Sequence, residues 1–266
     1  MKKLLTEFLL IVVLFFGTWY GLSKINWITL FKIEQASADL EQKIGDLLWK
    51  SLETSEGEIT SDSLTSAINI LLDHLCQKNH IDREKIKIHV LKNGETNAFA
   101  LPNNHLVIYS GLIEACENES EFCGVLSHEL AHIQKGHVMN KLVKETGLSV
   151  LISMSTGNGN STVVKKAIEQ LSSTAYDRKF ETEADLTAVE YMIKADIDPE
   201  ALANFLYRLS GENLPEQLYW VSTHPESKQR SVKIMEAIKG RSFEKKPVIG
   251  SSKWTALQNM LKQDSD

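Results

Sequence analysis

The sequence predicts an α+β fold, mainly α, with a small antiparallel sheet set among helices. Three observations carry this reading. Apolar residues recur at helical spacing along most of the chain, as in Leu40, Ile44, Leu47, Leu48 and Leu52. Strand-like alternation is confined to "KIKIHVL" (85–91), "NAFALP" (97–102) and "HLVIYSG" (105–111). No stretch of 20 to 50 residues repeats, which removes solenoids and propellers.

The 266 residues are 42% hydrophobic and 24% charged, enough to bury a sizeable core. Lysine and arginine total 29 against 35 acidic residues, for a net charge of −6, and no basic block stands out. That excludes nucleic acid as an expected partner. Cys76, Cys116 and Cys123 are odd in number and contain no C-x-x-C pair. They are read as small buried hydrophobes rather than a disulfide framework.

Taken in order, residues 1–33 form a membrane anchor or signal segment with its linker. Lys2 and Lys3 precede an uncharged run from Phe8 to Ser23. As a helix this run spans roughly 24 Å, and about 30 Å when extended back to Leu4, the thickness of a bilayer core. Trp19, Tyr20 and Trp27 fall where an interfacial belt would lie. No small-residue cleavage site follows closely, since Ala36-Ser37-Ala38 comes too late. An uncleaved anchor is therefore expected, with the remaining chain extracytoplasmic, in a bacterial periplasm. A cleaved signal with a soluble periplasmic product is the alternative.

Residues 34–240 form the main domain. Helix is expected over 34–56 and, after the loop "TSEGEITSDS", from Ser61 or Asp62 through Leu75. Asn93-Gly94 and Pro102-Asn103-Asn104 are turn signals between strands. Helices follow over 112–116, 121–137, 141–155, 163–171 and 176–195, with "STGNGNST" (155–162) as a break. "DIDPEA" (196–201) ends one helix and caps the next, and another begins near Pro225. Residues 241–266 form a polar C-terminal tail. Trp254, Leu257 and Leu261 have the spacing to dock it as a short amphipathic helix.

The chemistry concentrates in "SHELAHIQKGH" (127–137). His128 and His132 are four apart, on one helix face, so their imidazoles can converge on one cation. Glu129 stands beside that pair, within reach of a water the cation would acidify. Such a site needs a third ligand. "FETEADLTAVEYM" provides Glu181, with Asp185 one turn on to accept the free N–H of a ligand histidine. An acidic helix face is ordinarily just solvated; the preceding His-Glu-x-x-His reverses that reading here. "STHPESKQR" adds His224 and Arg230, each a weak signal alone: a capping histidine and a solvated arginine are as common.

Together these segments resemble the family-48 metallopeptidases. That group includes HtpX-type membrane proteases, CAAX-prenyl endopeptidases and periplasmic proteases of outer-membrane protein quality control. The resemblance runs from about Asp39 to Ala237 through "NAFALP", "SHELAHIQKGH", "RKFETEAD" and "THPESKQR" in order. It implies a zincin-type domain with one Zn2+ per chain at His128, His132 and Glu181. It implies Glu129 as general base, Asp185 behind a ligand, and His224 near the catalytic water with Arg230 in support. It also implies that an extended polypeptide pairs beside the strand Asn97, Ala98, Phe99, Ala100 and Leu101. One departure is visible: the family's Pro-Gly-Gly turn reads Pro102-Asn103-Asn104. With neither extra membrane helices nor a repeat array in this sequence, the nearest kin are the small single-domain periplasmic members.

His137 is read as structural, and His74, His80, His89 and His105 as lacking metal partners. Trp49, Phe205, Tyr207 and Trp220 are read as core. The expected activity is zinc-dependent endopeptidase action on extended or misfolded envelope proteins. The alternative is a chaperone-like binder of such proteins with latent protease activity, using the apolar segment Leu148–Met154 as a lid.

Overall fold

In the computed structural model, residues 33–157, 160–210 and 223–265 are described. The expected anchor segment, Trp220 and part of the glycine-asparagine loop lie outside them. The chain divides into two compact units, residues 1–41 and 42–266. Only the opening turns of one helix are described in the first; the sheet and the remaining helices belong to the second. Among the described residues no helix is long and apolar enough to cross a membrane.

Helix α1 (Ile33–Glu56) and α2 (Asp62–Asn79) precede the sheet. Ile44, Leu48 and Leu52 of α1 are buried, as are Leu64, Ile68, Leu71, Leu72 and Leu75 of α2. Helix α2 stops at His80, whose backbone turns left-handed at φ 55° and caps the carbonyls of Cys76 and Gln77. A 3₁₀ turn (Arg83–Lys85) leads into β1 (Lys87–Leu91), β2 (Ala98–Leu101) and β3 (His105–Tyr109).

The sheet is mixed, which corrects the antiparallel expectation. β2 and β3 form an antiparallel hairpin, but the strand order is β1-β3-β2 and β1 runs parallel to β3. The cause is the hairpin itself. Its turn places Asn103 and Asn104 at φ 61° and 59°, a left-handed pair that reverses the chain tightly. The loop after β1 must then carry β2 past the position β3 takes. Helix α1 closes on this turn: a methyl group on Gly45 would lie 2.2 Å from the Pro102 carbonyl oxygen.

Beyond the sheet come α3 (Ser110–Ala115), α4 (Glu119–Gln134), α5 (His137–Thr146), α6 (Leu148–Ser155), α7 (Ser161–Ser173), α8 (Arg178–Lys194), α9 (Glu200–Arg208), α10 (Ser227–Ile238) and α11 (Ser251–Ser265). The helix expected over 141–155 is two, because Gly147 takes φ 88° and interrupts the ladder. Helix α4 is central. It packs on α8, α9 and β2, and its Phe122, Val125, Leu126 and Leu130 belong to the main core. Gly124 lets α9 come close, since a methyl there would sit 2.9 Å from Leu202 Cβ.

Helix α11 joins that core through Trp254, Leu257 and Leu261. The Glu119 carboxylate accepts the backbone N–H groups of Val248, Ile249 and Gly250, and Gln258 Nε2 donates to the Ile113 and Cys116 carbonyls. The three cysteines are free and buried. Phe205 is buried and Trp49 stacks on His89, whereas Tyr207 is 62% exposed, so it is not a core residue.

Candidate metal centre

Asn118 caps α4 by accepting the Glu121 N–H at 3.0 Å. With one side of α4 committed to the core, its other face turns His128, Glu129 and His132 toward α8, all three fully buried. Helix α8 answers with Glu181 and Asp185, one turn apart and also buried. His224 and Arg230 reach the same place from the start of α10 and the residues before it.

His128 Nε2 and His132 Nε2 approach to 3.0 Å. Glu181 Oε2 lies 3.7 Å from the first and Oε1 3.5 Å from the second. His224 Nδ1 is 2.9 Å from Glu181 Oε1 and 3.2 Å from His128 Nε2. These four side chains can each offer one ligand atom to a common point. His224 Nε2 faces Glu129 Oε1 at 3.3 Å.

The protonation pattern fits a cation. Asp185 Oδ1 sits 3.0 Å from His128 Nδ1. Burial would raise the Asp185 carboxyl, but Arg230 outweighs it and holds the pKa at about 2. The ionised carboxylate can accept a hydrogen bond from Nδ1–H, the tautomer that turns the lone pair of His128 Nε2 toward Glu181. His132 is kept neutral by burial, its pKa pushed down to about 3. Two imidazole nitrogens brought to 3.0 Å beside a carboxylate are a donor set that can close on one cation.

Glu129 is buried, yet His224, His128 and His132 beside it overcome the burial and hold its carboxyl below the ordinary range. His224 is raised for the complementary reason, since Glu181 and Glu129 outweigh its desolvation. Arg230 spends its fork on acids: Nε and Nη2 on Asp185, and Nη1 on Glu181 Oε2 at 2.7 Å and on the His224 carbonyl at 3.0 Å.

Three neighbours escaped the sequence reading. Tyr176 stacks on the His132 ring with centroids 4.0 Å apart. Lys141, buried, donates to the Leu171 and Thr174 carbonyls and lies 4.0 Å over the Tyr176 ring. His137 touches His132 directly, Nδ1 to Nδ1 at 3.1 Å. Only the fold brings the first two to the site, and no spacing rule signals them. The strand Ala98–Leu101 is buried throughout, α7 packs against it, and Asn97 Nδ2 donates to the Ser172 carbonyl at 3.0 Å.

Comparison with known proteins agrees with this geometry. Residues 63–238 match Peptidase family M48. Over 202 residues the chain is 26% identical to the Beta-barrel assembly-enhancing protease of Yersinia pestis, covering 71% of this chain and 40% of that one. Over 218 residues it is 25% identical to the mitochondrial metalloendopeptidase OMA1 of Schizosaccharomyces pombe, covering 77% and 63%. The bovine mitochondrial metalloendopeptidase OMA1 is 28% identical over 200 residues, covering 65% and 38%. The chain thus spans less than two thirds of the length of each of these relatives.

Proposed function

The chain belongs to peptidase family M48, and we propose that it is a zinc metalloendopeptidase hydrolysing extended or misfolded envelope polypeptides. The observation that carries this is the convergence of His128, His132 and Glu181 around one point with Glu129 beside it. Two imidazoles and a carboxylate are the donor set that suits zinc at a catalytic site. Bound there, the ion would supply Lewis-acid polarisation of the scissile carbonyl and acidify a water.

The protein's own groups do the rest. Glu129, held ionised, takes the water's proton and returns it to the leaving amine. His224, kept protonated by two carboxylates, stands beside Glu129 as a donor for the developing oxyanion. Asp185 orients His128, and Arg230 fixes both Asp185 and Glu181. The substrate adds as a strand beside Asn97–Leu101, a strand that is buried with α7 packed against it. The name of the Yersinia relative supports an envelope substrate, and residues 1–33 would tether the domain outside the cytoplasm.

The covered state of β2 also favours a second reading, in which the chain binds misfolded clients and cleaves only when opened. One variant tests both. Glu129→Gln should bind zinc as the parent does, by metal analysis, and lose casein hydrolysis. Full hydrolysis by Glu129→Gln would sink the mechanism, and client protection by this inactive variant would favour the binder.

A further inference from the structure

The buried ring of His137 has been left with a merely structural role, and its surroundings argue otherwise. His137 follows His132 by five residues. In an unbroken helix it would point about 140° away from that ring. The helix is broken instead. Gly136 takes φ 67°, and a methyl on it would meet nothing within 4 Å. The glycine is therefore needed for the backbone turn and not for space. The turn swings the first residue of α5 back, so that His137 Nδ1 lies 3.1 Å from His132 Nδ1, with ring centroids 5.0 Å apart.

The ring is gripped from α8 as well. Phe180, the residue before Glu181, stacks on it at 4.2 Å and 19°. Glu183 Oε2 lies 3.6 Å from His137 Nε2, and Lys135 Nζ lies 3.3 Å from Glu183 Oε1. Tyr176 meanwhile covers one face of His132. Each contact constrains either the tilt of His132 or the partner behind it.

Counting protons gives the assignment. Only one proton fits between the two Nδ1 atoms. His132 must present a bare Nε2 to serve as a ligand, so its proton sits on Nδ1 and is donated to His137. His137 then accepts at Nδ1 and carries its own proton on Nε2, toward the Glu183 carboxylate. An aliphatic side chain could fill the same space. It would leave the buried His132 N–H without an acceptor.

We propose that His137 is a positioning residue of the metal centre, holding the tautomer and tilt of His132, with the Glu183 carboxylate facing its far nitrogen from the rim. Asp185 does the same for His128, so each ligand histidine has its own orienting partner. The inference rests on reading His132 as a metal ligand.

The test is zinc affinity of the metal-free full chain, measured by competition with a fluorescent chelator. His137→Leu should bind zinc about 10- to 100-fold more weakly than the parent. His137→Asn places an amide oxygen where Nδ1 was and should recover affinity to within about threefold. If the parent binds zinc and His137→Leu binds it equally tightly, this inference is overturned alone. It is also overturned if His137→Asn loses as much as His137→Leu, because packing would then explain the loss. Should His137→Leu fail to fold, Glu183→Gln on the half-exposed rim replaces it. A loss of about threefold or more supports the assignment and any smaller change overturns it. A parent chain that binds no zinc overturns the metal centre and this inference together.

Discussion

Arg230 grips Asp185 by both carboxylate oxygens, Nε to Oδ2 at 2.8 Å and Nη2 to Oδ1 at 2.6 Å, while the same Oδ1 faces His128 Nδ1 at 3.0 Å. One carboxylate thereby ties α10 and α8 to a ligand of α4. Replacing it by Asp185→Asn removes the bidentate anion from a buried guanidinium and leaves Glu181 as the other carboxylate against it. Removing one partner of a buried pair costs about 3–5 kcal/mol. Urea unfolding should show that loss, and zinc affinity should fall about 10- to 100-fold. An unchanged midpoint would show that the pair does not hold the site.

Metal removal should destabilise the protein, because His128 and His132 nitrogens stand 3.0 Å apart with a carboxylate beside them. A ligand at a thousand times its dissociation constant stabilises by about 4 kcal/mol. Thermal melting with and without chelator should therefore differ by several degrees, and restored zinc should reverse the shift. Superimposable melts would count against a tight site.

A second histidine cluster sets a pH dependence away from the metal centre. His105 Nδ1 meets His89 Nε2 at 2.9 Å, and its Nε2 faces Asp46 at 3.1 Å and Lys87 at 3.4 Å. Burial pushes the His105 pKa down to about 4, helped by Lys87 and His89 and opposed by Asp46. The folded value lies below the unfolded one of about 6.5. The unfolded chain therefore takes up the proton first, and stability falls as pH drops from about 6.5 toward 4, with no further fall from this group below that. His105→Asn should flatten that part of a urea-derived stability profile; a slope as steep as the parent's would show that other groups set it.

The approach of α1 to the hairpin turn predicts a sharp contrast between two glycines. Gly45→Ala puts a methyl 2.2 Å from a backbone oxygen, whereas a methyl on Gly94 meets nothing within 4 Å. Gly45→Ala should cost on the order of 1–3 kcal/mol in chemical unfolding. Gly94→Ala should leave the midpoint within about 0.5 kcal/mol. Equal midpoints for the two would mean that α1 yields easily.

How much of this site is legible in the sequence depends on distance along the chain. His128 and His132 share a helix face by periodicity alone, with Glu129 beside them, and Glu181 and Asp185 share another, so local geometry announces both halves. Their meeting is tertiary, and only the need for a third ligand points to it. The parallel pairing of β1 is hidden because strand order is decided by a loop and a turn, not by alternation within strands. The break at Gly147 is hidden because one glycine inside a helical pattern is often tolerated. His137 escapes for a geometric reason: five residues is the wrong spacing in an intact helix, and only a left-handed Gly136 makes it the right one.

The three backbone amides that rest on Glu119 have a consequence at the opposite end of the motif helix. The first residue of the segment that carries His128 is also the clasp for the final helix, whose Trp254 meets Phe122 one turn further in. The two should therefore melt as one cooperative block, read out by hydrogen exchange. Proteolytic nicking near 248–254 should quicken hydrogen exchange along 119–134, and so loosen the helix that carries His128 and His132 from its far end.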